Sequence, residues 1–264
     1  MGMVRRNTFD LDPGSHLLAP AIIAFNRGNG WYRAVLWRPE RGEWVGLLEF
    51  SSDTADLDRR LEKLEKAYGG HAGYAAASLI QQAAHPLMSL TAWCILLGPG
   101  IPDINPAAVW LRQHPQGLFD RVAIGGDFTV ASSAEESARA TGAAIVRAFE
   151  ALIESIRLTR KVGKARLWRG VNDLVARTLL GAASALGSVD TGMAVAEAIL
   201  TRAPDVLRGA PRWHLDPQKA MWFSLRSVCC LAYTGTLGSY CDTCPLLDDD
   251  EITRRLASNQ AGAL

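Results

Sequence analysis

The chain is poor in cysteine, with five among 264 residues, and it has almost no net charge, 28 Lys and Arg against 27 Asp and Glu. Such a balance gives no electrostatic footprint for nucleic acid, so none is expected as a partner. There is no Gly-x-Gly-x-x-Gly after a strand pattern, no phosphate-binding P-loop and no Gly-x-Ser-x-Gly elbow. A flavin or nicotinamide would therefore have to arrive on a separate protein. Long apolar runs are also missing. No Asp, Glu, Lys or Arg occurs between Lys66 and Asp103, but Gln81, Gln82, His85 and Pro86 break that stretch, and Gly98, Pro99, Gly100 and Pro102 close it. Its apolar runs fall short of the ~30 Å hydrocarbon layer, so a buried helical pair is expected rather than stable membrane insertion. The opening MGMVRRNTFDLDPG has no apolar segment of the kind a secretory signal needs. A cytoplasmic location, at most loosely associated with the inner membrane face, is the expectation, and a reducing compartment disfavours structural disulfides.

The rest of the chain reads as α+β. Residues 1–15 look like a loose leader. WYRAVLW (Trp31–Trp37) and EWVGLLEF (Glu43–Phe50) flank the turn at 38–42 and predict a hairpin. SSDTADLDRRLEKLEKAYGG predicts a capped helix with Leu57, Leu61 and Leu64 on one face. Tyr74 to Leu97 reads as two helices broken at Pro86, and AAVWLRQ with LFDRVAI, around a turn at 114–117, predicts a second hairpin. FTVA adds a strand. From Ser132 the pattern turns helical: a capping box on Ser132 or Ser133 with Glu135 or Glu136, an amphipathic run to about Arg160, then two more helices ended by Pro204. The expected architecture is a small antiparallel sheet in an N-terminal part, 1–131, and a helical part, 132–264, that ends in a cysteine-rich loop. The two parts are expected to form one compact unit.

Four of the five cysteines crowd into SVCCLAYTGTLGSYCDTCPLL: Cys229 and Cys230 adjacent, then Cys241 and Cys244 in Cys-x-x-Cys. In a reducing compartment such a group reads first as a metal or redox site. Four thiolates serve a tetrahedral zinc or an iron–sulfur cluster equally. The vicinal pair, whose side chains tend to diverge, is awkward around one ion and suits a two-metal group better. Spacing alone leaves a two-iron cluster, zinc and unligated dithiols open. Cys94, alone in LTAWCILLG, is expected to be a buried small hydrophobe.

The arrangement Cys229-Cys230-x10-Cys241-x2-Cys244, followed by Pro245 and Leu246, resembles the C-terminal signature of the ferric-siderophore reductases, the FhuF-like family. The likeness covers about Arg226 to Leu247, with a weaker echo at RLWRGVND (Arg166–Asp173). It implies that the four cysteines bind a [2Fe-2S] cluster. It further implies an oxidoreductase that passes one electron to a ferric siderophore, of hydroxamate type, and releases Fe2+ in the cytoplasm. The partners implied are the ferric siderophore and an external electron donor such as a ferredoxin or flavoprotein. The competing readings are a non-catalytic protein with a structural zinc or a sensing iron–sulfur site, and a siderophore-handling relative.

Around the cysteines, Arg212, Trp213, Trp222 and Arg226, with Trp168 further back, are candidate substrate or partner contacts, or simply packing for the loop. The basic run RLTRKVGKARLWR (Arg157–Arg169) could dock an acidic donor or be a solvated connection. Asp242 and Asp248 to Glu251 would lower a nearby cluster's potential, and equally read as a helix cap. His214 is not needed as a ligand beside four cysteines.

Overall fold

The computed structural model describes residues 16–37, 44–98, 100–114, 119–216, 220–236 and 238–258. The proposed leader at 1–15 and the turn at 38–42 lie outside them, as does most of the turn at 114–117. In chain order the elements are α1 (Ala19–Gly28), β1 (Arg33–Leu36), β2 (Trp44–Gly46), α2 (Leu47–Ser52), α3 (Thr54–Ala67), α4 (Ala72–Leu97), β3 (Ile101–Pro102), β4 (Val109–Gln113), β5 (Phe119–Ile124) and β6 (Phe128–Thr129). There follow α5 (Ala134–Arg160), α6 (Lys164–Ala185), α7 (Val189–Arg202), β7 (Arg212–Asp216), β8 (Met221–Leu225) and α8 (Asp249–Ser258). The α+β expectation, with small sheets early and helices late, is borne out.

The first hairpin is not. β1 and β2 lie at opposite edges of a four-stranded sheet ordered β1-β5-β4-β2. β1 pairs with β5 in parallel, so the sheet is mixed rather than antiparallel throughout. Only the first residues of EWVGLLEF are extended, because Leu47 and Phe50 turn inward on the short helix α2. The hairpin of β4 and β5 forms as predicted, in antiparallel register with Leu111 opposite Val122, and FTVA contributes β6, paired with β3.

Pro86 does not break its helix either. α4 runs unbroken through it, although the proline withholds an N–H from the Gln82 carbonyl. That loss, about 3 kcal/mol for an interior proline, is outweighed because α4 is buried along most of its length, from Ala75 to Cys94. It packs against α1, α3 and α6, and one apolar core takes residues from both halves of the chain, Leu18 through Leu207. No helix of the described residues is long and apolar enough to cross a membrane.

The predicted caps are in place. Asp53 accepts the Asp56 N–H ahead of α3. Ser133 accepts the Glu136 N–H at 3.1 Å while Glu136 accepts the Ser132 N–H at 2.8 Å, a capping box that spans both serines. At the far end of α5, Arg160 bridges to Asp58 and Glu65 of α3, each at 2.5 Å.

Midway along α4, His85 hydrogen-bonds with the Tyr32 hydroxyl at 3.0 Å. Burial, and secondarily Arg177, pushes its imidazole pKa down from 6.5 to about 3. An unfolded chain therefore takes up a proton below pH 6.5 that the folded chain refuses until about pH 3. Stability is retained above that window and lost as pH falls through it, at up to about 1.4 kcal/mol per pH unit. Urea unfolding at pH 7 and pH 5 is expected to show His85→Gln losing about 2 kcal/mol less between the two than the parent chain.

Candidate metal centre

The cysteine segment follows β8 and lies across the outside of the helical layer. Strands β7 and β8 form an antiparallel hairpin, Arg212 opposite Leu225 and Asp216 opposite Met221, which packs on α6. Past β8, the Arg226 N–H donates to the Thr243 carbonyl, which ties the hairpin to the Cys-x-x-Cys end. α8 closes the back, with Ile252 and Leu256 buried against Leu225.

All four cysteines are free thiols, and they come together as two pairs. Cys229 and Cys244 have Sγ atoms 4.0 Å apart, while the Cys230 and Cys241 thiols hydrogen-bond to each other. Each pair thus joins one residue of the vicinal Cys-Cys to one of the Cys-x-x-Cys. Among the described residues no group of three or more His, Cys, Asp or Glu side chains is disposed as a ready metal site. Cys230 packs on Ala77 and Ala232 with Tyr74 alongside, so the segment sits on the N-terminal turns of α4.

The surroundings favour thiolate at Cys230, whereas burial pushes the Cys229 thiol up. The hydrogen bond from Cys241 lowers the Cys230 pKa to about 5, with Arg226 acting in the same sense against burial. Cys241 keeps the shared proton and is pushed up. Thiolate is the form that ligates metal, and a cation beside the site offsets part of the charge that four thiolates would carry. The Leu231 N–H points at Cys229 Sγ at 3.4 Å. It can do so because Leu231 holds a left-handed backbone, φ 66°, a strained setting for a branched side chain.

Three side chains from outside the segment fix its shape. Arg166 of α6 donates to the Cys229 carbonyl at 2.8 Å. Asp173, two turns further on, accepts from both the N–H and the hydroxyl of Ser227 at 2.9 and 2.6 Å. Its burial raises its pKa against the pull of those bonds and of Arg226, and its second oxygen is buried without a partner. Arg255 of α8 donates to the Tyr240 carbonyl at 2.6 Å and pairs with Glu251. Arg166 and Asp173 are the two ends of RLWRGVND, so that octapeptide is joined to the cysteine segment at both ends.

Gly235 lets the loop lie flat on the helices. A Cβ there would meet the Tyr68 carbonyl oxygen at 2.5 Å and the Tyr74 ring at 3.0 Å, and backbone cannot yield as a side-chain tip can. Gly235→Val is expected to lift the loop and cut metal content several-fold. Far-UV circular dichroism should stay that of the parent, since the main core lies elsewhere.

The remaining sequence candidates separate. Arg226 is at the site. Arg212 is exposed and donates weakly to the Arg226 carbonyl at 3.4 Å, which makes it a brace for the hairpin's end. Trp213 donates its indole N–H to Glu197 of α7 at 2.9 Å, and Trp222 lies in β8 opposite Leu215. Trp168 is 1% exposed inside the main core and cannot touch a substrate. His214 is hydrogen-bonded with Thr253 of α8 at 3.1 Å, turned toward that helix. Cys94 is fully buried as expected, and burial pushes its thiol up to about 12.

The basic run is largely matched inside the molecule: Arg157 and Lys164 pair with Glu154, Arg160 with α3, and Arg166 with Cys229. As a docking face for an acidic donor it has little charge to spare. Asp248 accepts the Glu251 N–H at 2.8 Å and Glu251 pairs with Arg254 and Arg255, so the acidic cluster does cap α8.

Gln81, Asp173, Arg177, Arg226 and Thr243 line a shallow, solvent-open recess beside the cysteines, and Arg177 is the one a sequence reading misses most completely. Arg177 lies mid-helix in a run with no motif, and only the approach of β8 to α6 brings it next to Arg226. No known family model matches the chain, and no curated protein matches it.

Proposed function

We propose that the chain is a ferric-siderophore reductase in which Cys229, Cys230, Cys241 and Cys244 hold a [2Fe-2S] cluster. The observation that carries this reading is the convergence of the four thiols, Cys229 with Cys244 at 4.0 Å and Cys230 in hydrogen-bond contact with Cys241, which offers a metal group four thiolate donors. Four soft thiolates fit an iron–sulfur group, and the spacing resembles that of the reductase family. When bound, the cluster would supply single electrons at a potential set by charge, hydrogen bonds to sulfur and exposure.

The chain's own residues have three tasks in this reading. Arg166, Asp173 and Arg255 hold the loop, so that the thiols stay in place whether or not charge is added. The Leu231 N–H stabilises negative charge on Cys229. Arg226 places a positive charge between the thiols and the recess that opens beside them, the natural approach for a ferric complex. Iron in a siderophore is held by hard, anionic oxygens that suit Fe3+ far better than Fe2+. One electron, supplied by an external carrier protein and accepted by Fe3+, therefore loosens the complex.

The test is to mix dithionite-reduced protein, freed of excess reductant, with a ferric siderophore and an Fe2+-trapping chelator. Fe2+ at about one equivalent per chain, well above a protein-free control, is expected. No Fe2+ above the control with ferric hydroxamate, catecholate or hydroxycarboxylate complexes would overturn the assignment.

A further inference from the structure

We propose that the mouth of the recess beside the cysteines selects its ferric complex by charge, taking one anionic oxygen-donor arm of a catecholate or α-hydroxycarboxylate complex against Arg177 and Arg226. This rests on the reductase reading for the identity of the ligand, and departs from the hydroxamate class that the sequence resemblance implies. A ferric trihydroxamate is close to neutral, whereas a ferric tris-catecholate carries three negative charges, and two guanidiniums set against the single carboxylate of Asp173 discriminate between them.

Solvent reaches the Arg177 side chain, yet the surrounding protein lowers its pKa to about 10, through burial first and the neighbouring Arg226 second. Wet at its surface and set deep in the protein mass, it stands in a depression rather than on a convex face. Among the described residues it has no hydrogen-bond or ion-pair partner. Arg226 contributes a second guanidinium, held only by a long hydrogen bond to Gln81 at 3.4 Å. Asp173 lines the same recess and attracts both arginines, while one of its oxygens accepts from Ser227, so one carboxylate stands against two guanidiniums. Two like charges facing one cavity raise each other's cost, and an anion between them relieves it. Planar guanidiniums suit bidentate oxygen ligands in particular.

Position agrees. The recess is shallow, with enclosed room for little more than a water, so an arm lies across its mouth against the two guanidiniums while the rest of the complex stays in solvent. A Cβ on Gly170 would meet nothing within 4 Å, so that wall is open by want of a side chain. Thr243, between Cys241 and Cys244, also lines the recess. Arg226 acts electrostatically on both Cys230 and Cys241, so an arm bound there lies against the cysteine loop.

The test uses redox-inert gallium(III) in place of iron, so that binding is read without electron transfer. Tryptophan fluorescence titration compares Ga3+ tris-catecholate, Ga3+ citrate and a neutral Ga3+ trihydroxamate on the purified full chain. The anionic complexes are expected to bind about tenfold or more tighter than the neutral one, with an affinity that falls as salt rises. Arg177→Met should erase that margin and leave the neutral complex unchanged, while Arg177→Lys should keep part of it. The protein's visible spectrum should be the same in all three, which reports that the loop is intact. Equal or tighter binding of the trihydroxamate would overturn the proposal, as would an equal loss for every complex in Arg177→Met. Reductase failure reads separately: a chain that selects anionic gallium complexes yet yields no trapped Fe2+ keeps the charge selection and loses the electron transfer.

Discussion

Replacing Cys230 with serine is expected to leave the purified protein colourless, its iron falling from about two per chain to near none. Cys230 is only 9% exposed, it is the thiolate of its pair, and it packs against α4 through Ala77. A serine hydroxyl is a harder donor that does not ionise at neutral pH, so one of four ligand positions is lost. Serine at Cys229, Cys241 or Cys244 should act alike. Cys94→Ser is the control, since that thiol is isolated in the main core and its loss should cost stability and leave the colour. Metal analysis and the visible spectrum check both. An intact cluster in Cys230→Ser would show that the ligands have been misassigned.

The second large effect is on folding. Trp168→Ala is expected to destabilise the chain by about 3–5 kcal/mol, the range for deleting a large aromatic from a packed core. That corresponds to a drop of order 10 °C in Tm for a domain of this size. The indole is 1% exposed, and its N–H is buried without a partner. An unpartnered N–H is itself a cost of about 1–3 kcal/mol. Trp168→Phe should therefore lose far less than its reduced volume suggests, well under half of the alanine penalty. Thermal unfolding of the two variants separates packing from polarity. If Trp168→Phe instead kept full stability and lost Fe2+ release, Trp168 would have a role in the reaction and not in the core.

Trp168 also illustrates what a sequence can reveal. A tryptophan near arginines looks the same whether it lines a pocket or fills a core, because its side chain suits both. Only the helical phase of α6, which turns Leu167, Trp168 and Val171 inward, distinguishes them. The cysteine motif is legible because residue type and spacing are local properties. The caps of α3 and α5 are legible for the same reason. The hairpin β7–β8 carries a local signal too, alternating residues on either side of Asp-Pro-Gln-Lys-Ala. Pairings between distant segments left no such trace. β1 joins β5 rather than β2 because burial of the intervening helices decides which edges meet. Arg177 and Arg226 face one recess only because β8 lies along α6. Pro86 does not end its helix because the local rule is outweighed by burial along most of α4.

If the chain is the proposed reductase, this loop holds two irons and two sulfides rather than one structural ion. Anaerobic purification, with iron, zinc and acid-labile sulfide measured per chain alongside the visible spectrum, distinguishes the two. About two irons and two sulfides per chain are expected, with red-brown absorption that dithionite bleaches. A colourless protein carrying one tightly bound zinc per chain and no sulfide would contradict it.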